Sequence, residues 1–139
     1  MNTTEIQLPR FAIGAINLAS PRLGAEVIFA TDDFFAEKSR LLKVEEPVFI
    51  TDKYDQHGKW MDGWESKRRR IPGNDHCIIR LGVKGVISGI NINTKYFTGN
   101  HPPQGSLEAT FSDNDPDKNT NWTEILPISN LNADTDNFF

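Results

Sequence analysis

Asp62 and Glu65 flank Gly63-Trp64 in the block Lys59-Trp60-Met61-Asp62-Gly63-Trp64-Glu65-Ser66-Lys67-Arg68-Arg69. Two carboxylates so placed can supply an acid and a base, provided that burial beside tryptophan separates their pKa values. The competing reading is loop capping, because aspartate side chains commonly accept backbone amides in tight turns. Arg68, Arg69 and Arg70 follow as a basic run. An arginine fork binds both oxygens of a carboxylate at once, whereas the plainer role of such a run is a solvated loop. Arg80 projects opposite Ile79 and Leu81, so it sits on a sheet face away from the core, as a surface cation or a second clamp. His101 lies in Gly99-Asn100-His101-Pro102, a turn-rich loop after a strand, where function commonly resides.

Other reactive residue types carry weaker signals. His57 lies in the polar turn Asp55-Gln56-His57-Gly58, and His76 precedes an apolar strand. No spacing resembles His-x-x-x-His, so the sequence asks for no metal, and it shows no cofactor motif. The single cysteine, Cys77, opens the apolar run Cys77-Ile78-Ile79 and reads as a buried thiol rather than a nucleophile. Trp60 and Trp64 read as hydrophobic pins for the long segment 51–76 rather than as stacking surfaces for a ligand.

The elements that must position these groups read as strands. Ala25–Ala30 is a strand candidate, and Asp32 or Asp33 is placed to cap a short helical turn through Phe35-Ala36-Glu37. Cys77–Leu81 is short, apolar and β-branched, and Gly82-Val83-Lys84-Gly85 follows as a turn. Val86–Thr94 alternates, with Val86, Ser88, Ile90 and Ile92 on one face and Ile87, Gly89, Asn91 and Asn93 on the other. Ser106–Phe111 alternates again, with Leu107, Ala109 and Phe111 inward and Glu108 outward. A polar turn, Asp113–Asn121, leads to a last strand at Trp122–Leu126. No long helix and no internal repeat stands out. The pattern predicts an all-β protein, an antiparallel β-sandwich or jelly roll.

The 139 residues suit one domain, with 37% hydrophobic and 24% charged residues. A net charge of −4 provides no general basic field for nucleic acid. No stretch approaches the ~18 apolar residues of a membrane span. One cysteine makes no internal disulfide, and the start of the chain has no basic n-region or apolar h-region, so a cytoplasmic protein is the default expectation.

Several segments, in order, resemble the allantoicase family. They are Asn17–Ala25, Ala30–Ala36, the Trp60–Arg69 block, Cys77–Gly82, Phe97-Thr98-Gly99-Asn100-His101-Pro102-Pro103 and Trp122–Pro127. The resemblance spans 11–139, after an N-terminal extension over 1–10. It implies a galactose-binding-like β-sandwich, commonly in two tandem copies, of which this chain offers one without its closing strands. It also implies hydrolysis of allantoate to ureidoglycolate and urea in purine catabolism. The partner would be a second repeat of the same chain or another copy in a homo-oligomer.

Allantoate carries a carboxylate and two ureido groups on one carbon. Releasing urea therefore needs a cation for the carboxylate, an acid for the leaving nitrogen and a base or positioned water. On that chemistry Asp62, Glu65 and His101 are the candidates for the catalytic roles, Arg68, Arg69 and Arg80 for the carboxylate, and Asn100 for a urea carbonyl, against plainer roles for His101 and Asn100 as turn residues. The chain departs from the family at Gly73-Asn74-Asp75-His76, where Gly-His-Asp-Trp is usual, and at Asn91 and Asn93, where acids are usual. Those amides favour the alternative reading, an impaired small-ligand- or carbohydrate-binding module.

Overall fold

The computed structural model describes residues 8–139, so most of the extension expected over 1–10 lies outside the described residues. The described chain pairs in four antiparallel ladders. β1 (Glu26–Ala30) pairs with β4 (Cys77–Arg80), β2 (Tyr54–Asp55) with β3 (Gly58–Lys59), β5 (Asn91–Asn93) with β8 (Asp136–Phe138), and β6 (Gln104–Ala109) with β7 (Thr123–Asn130). Helical structure among these residues is confined to 3-10 turns at Arg10–Ala12, Pro21–Leu23 and Lys38–Leu42.

β1 and β4 form where the sequence is richest in apolar and β-branched residues, and Val27 faces Ile79 across the ladder. The β2–β3 hairpin closes through Gln56-His57, a two-residue loop. β7 runs through Pro127, further than the expected Trp122–Leu126. Proline is tolerated there because the β6–β7 register slips between Gly105 and Leu107, so no ladder amide is needed at that point.

Three expectations are corrected. The helical turn does not include Phe35-Ala36. The amides of both residues donate to the Glu65 carbonyl, and Ala36 accepts from the Glu65 amide at 3.1 Å, so neither is free for a helix. The turn begins at Lys38 instead, capped by Glu37, whose carboxylate accepts from the Ser39 amide at 3.0 Å. In the strand expected over Val86–Thr94, only Asn91–Asn93 joins a named ladder, flanked by mutual hydrogen bonds between Ile90 and Phe139. Val86 is 88% exposed, because alternation without a neighbouring strand buries nothing. Phe111, expected inward, is 78% exposed beyond the end of β6, while Leu107 and Ala109 are half-buried as expected.

The buried apolar residues include Val27, Met61, Phe97, Leu126 and Leu131. Beside them lies a small polar knot. Buried Thr94 donates to the Asn132 carbonyl at 2.6 Å, and buried Asn137 donates to the Ile92 carbonyl at 2.9 Å and accepts from the Asn132 amide at 2.8 Å. The knot leaves these polar groups satisfied and ties the turn before β8 to β5. Asp134 in that turn accepts from the Tyr96 amide at 2.8 Å and donates its own amide to the Phe97 carbonyl, fixing the start of the loop that carries Asn100 and His101.

Asn91 and Asn93 belong to this ladder too. Asn91 donates to Asp136 at 2.9 Å and accepts from the Asn137 amide, and Asn93 accepts from the Lys95 amide at 2.7 Å.

Candidate active site

The two motif blocks converge. The Phe97 ring packs over Gly63 so closely that a Cβ there would meet ring carbons at 3.2 and 3.3 Å, so glycine lets the loops touch. Asn100 Nδ2 donates to Glu65 Oε1 at 3.0 Å. The Glu65 backbone is held on its other side by Ala36. Burial pushes the Glu65 carboxyl above the usual glutamate value, and the Asn100 hydrogen bond only partly offsets this. Glu65 thus has the raised pKa that suits proton transfer.

The surrounding pins come from residues 31–36. Trp64 Nε1 donates to the Asp32 carbonyl at 2.8 Å, and the Asp32 carboxylate accepts from the amides of Lys67 at 2.9 Å and Phe34 at 3.1 Å. The Lys67 amide, chiefly, holds the Asp32 carboxyl below its usual value. Trp60 lies under two cations, with the Arg40 guanidinium 4.2 Å and Lys53 Nζ 4.0 Å from its ring centroid. Both tryptophans serve as loop pins, as their place in the long segment suggested.

Asp62 has other company than Glu65. Its side chain is 3% exposed and accepts from Lys43 Nζ at 2.5 Å, the Val48 amide at 2.9 Å and Arg40 at 3.3 Å. Burial pushes its carboxyl up, but Lys43, the Val48 amide and Arg40 together outweigh burial and hold it below the usual aspartate value. The two carboxylates expected to act as a pair share no hydrogen-bond partner. Asp62 anchors segment 40–48 to the Trp block.

The three candidate arginines differ. Arg80 is engaged by Asp115 at 3.0 Å and Glu26 at 2.9 Å on the exposed side of the β1–β4 ladder. Arg69 donates to Asp75 at 3.3 Å and packs on Gly73. Arg68 is exposed.

His101 Nδ1 lies 2.9 Å from the Thr98 carbonyl, which selects the tautomer with Nε2 free to accept a proton. His57 stacks on Phe34 at 4.3 Å and His76 tilts against Phe29 at 5.5 Å, so the three histidines do not meet. Burial pushes the Cys77 thiol up to about 11, fitting a packing residue. A cleft of 560 Å³ is lined by residues including Phe34, Phe35, Ala36, Arg40 and His57. Glu65 reaches its wall through the Ala36 backbone, though its carboxyl does not line it.

Sequence reasoning missed Thr31, Ala36, Arg40 and Lys43 as supports; of the two candidate caps, Asp33 accepts from the Lys38 amide that opens the 3-10 turn, at 3.1 Å, while Asp32 serves the Phe34 and Lys67 amides instead. Only the two aspartates carried a local signal, since aspartate before a turn accepts amides; the others act across gaps of many residues.

The antiparallel all-β architecture, with a carboxylate held between two loops, defines a β-sandwich that presents its candidate chemistry on connecting segments. It is the galactose-binding-like sandwich of solved allantoicases. The structure aligns with an allantoicase structure at a TM-score of 0.73 and 25% identity, covering 89% of this chain and 38% of the other. It aligns with the allantoicase of Saccharomyces cerevisiae at a TM-score of 0.70 and 28% identity, covering 87% and 37%.

The allantoicase repeat family model matches residues 16–139, and the chain belongs to that family. A relative from Photobacterium profundum described as "Probable allantoicase" is 54% identical over 121 residues, covering 86% of this chain and 37% of the relative. Another so described, from Ralstonia nicotianae, is 49% identical over 139 residues, covering 99% and 41%. The chain therefore spans about two fifths of the length of the relatives it matches.

Proposed function

We propose that this chain takes part in the hydrolysis of allantoate to ureidoglycolate and urea, in purine catabolism in the cytoplasm. The observation that carries the reading is the Glu65–Asn100 hydrogen bond, which joins the two blocks most specific to the family. Glu65, protonated more readily than an ordinary glutamate, gives its proton to the leaving ureido nitrogen as the carbon–nitrogen bond breaks. His101 Nε2 takes a proton from the water whose oxygen bonds to that carbon, leaving the hydroxyl of ureidoglycolate. Asn100 holds Glu65 in place and offers its amide edge to a ureido carbonyl.

The substrate carboxylate goes to Arg68 and Arg69, because Arg80 is already occupied by two acids. Asp62 acts by anchoring the block rather than by moving a proton. A second repeat, in the same chain or in another copy, completes the assembly.

The test is urea release from allantoate, assayed on this chain and on a version extended to the full length of its relatives. Either form should release urea, and Glu65→Gln should remove the activity of whichever does. Full activity in Glu65→Gln, or no urea from either form, would overturn the proposal.

A further inference from the structure

Arg69 is held in a cradle that the proposed chemistry does not by itself require. Its NH1 donates to Asp75 Oδ1 at 3.3 Å, and its Nε reaches the Pro72 carbonyl at a long 3.5 Å. The same Asp75 oxygen accepts from Thr31 Oγ1 at 2.8 Å. Thr31 Oγ1 in turn accepts from the His76 amide at 3.0 Å, and the Thr31 amide donates to the His76 carbonyl at 2.9 Å, continuing the β1–β4 pairing by one step. Gly73, at φ +120°, lies flat against the guanidinium. A Cβ there would meet NH2 at 2.9 Å and Nε at 3.0 Å, so any side chain would push the arginine aside.

We propose that Asp75 and Thr31 are positioning residues for Arg69. They fix the guanidinium at the end of the β1–β4 ladder, with Gly73 leaving it room, so that its NH2 edge is presented to a small carboxylate ligand. The chain segment that begins at Thr31 also carries Asp32 and Ala36, which hold Trp64, Lys67 and Glu65. One strap therefore sets both the anion-binding and the proton-handling groups. A fixed fork loses less freedom on binding than a solvated arginine does, which is the energetic purpose of the cradle. The inference rests on the reading of Arg69 as a carboxylate clamp.

The experiment combines two readouts on the full chain and on its extended form: the KM and kcat for allantoate, and hydrogen exchange at the Arg69 Nε–H by NMR. Asp75→Asn should speed that exchange and raise KM roughly three- to thirtyfold with kcat little changed. Thr31→Val should do the same more weakly, and Asp75→Glu should recover part of the loss. In an Arg69→Ala background, Asp75→Asn should have no further effect on KM. If Arg69→Ala raises KM while Asp75→Asn leaves KM and exchange unchanged, the positioning role is overturned. If Arg69→Ala leaves KM unchanged, the clamp reading falls instead, and exchange at Nε still decides whether Asp75 holds the side chain.

Discussion

Glu65 and Asp62 are carboxylates of one short block, yet their surroundings push them in opposite directions. Glu65 is half-buried with one neutral donor, whereas Asp62 is nearly fully covered with two cations and an amide. Because the folded pKa of Glu65 is raised, the folded state holds its proton more tightly than the unfolded state. This group therefore costs stability above its folded pKa, and the cost disappears as pH falls below its unfolded value. Glu65→Gln should keep the Asn100 contact and leave the melting temperature at neutral pH equal or higher, while urea release drops by about 10²–10⁴-fold, the usual span of acid–base assistance. A Glu65→Gln protein that melts lower at neutral pH would contradict this account of its burial. Asp62 has the reverse sign. Its contribution is present above the unfolded pKa and is lost as pH falls through the depressed folded one. Asp62→Asn should cost on the order of 1.5–3 kcal/mol at neutral pH, since charged hydrogen bonds are lost from a covered position. Denaturant melts at pH 7 and in acid would show the difference between the two proteins shrinking in acid.

At the level of elements, the β5–β8 ladder decides how the Asn100 loop is presented. Its amides have defined work, since Asn91 donates to Asp136 and accepts from the Asn137 amide. An acid at position 91 would set a second carboxylate against Asp136, which lies diagonally across the ladder and accepts from the Asn91 side-chain amide at 2.9 Å, and like charges so close repel one another. Asn91→Asp should therefore lower stability by a few tenths to about 1 kcal/mol near pH 7, and the loss should fade in acid as the pair takes up a proton. Asp136→Asn added to Asn91→Asp should restore it. A double mutant no more stable than Asn91→Asp would show that the pair does not interact. Asn91 thus has a structural role in this ladder, apart from any catalytic one.

The whole molecule is unusually open. A monomer of 15.7 kDa ordinarily exposes about 7,300 Å², whereas this chain exposes 10538 Å². Ile128 is 67% exposed on β7, and Phe111 is 78% exposed beyond the end of β6. Each ladder among the described residues has two strands, so every one has open edges, and isolated two-stranded units are marginal in water. The chain on its own should therefore bind a hydrophobic dye and self-associate with rising concentration in sedimentation velocity. A monomer at all concentrations, with no dye binding and a sharp reversible melt, would show that this surface is tolerated without a partner.

The sequence by itself determined the all-β class, the family, and the two blocks from which the candidate site is built. β1 and β4 were legible because apolar, β-branched residues are dense there, and strand propensity is a local property. The motif blocks were legible because their residue types and order are dense with information. The tertiary structure decided which residues act together. Glu65 meets Asn100 rather than Asp62, Arg69 meets Asp75, which Thr31 holds in turn, and Arg80 is taken up by Glu26 and Asp115. It also decided that Val86 lies in the open despite good alternation. The physical reason is the same in each case. Alternation and propensity describe one segment, whereas a strand's partner, a carboxylate's pKa and an arginine's freedom depend on groups brought near from distant parts of the chain.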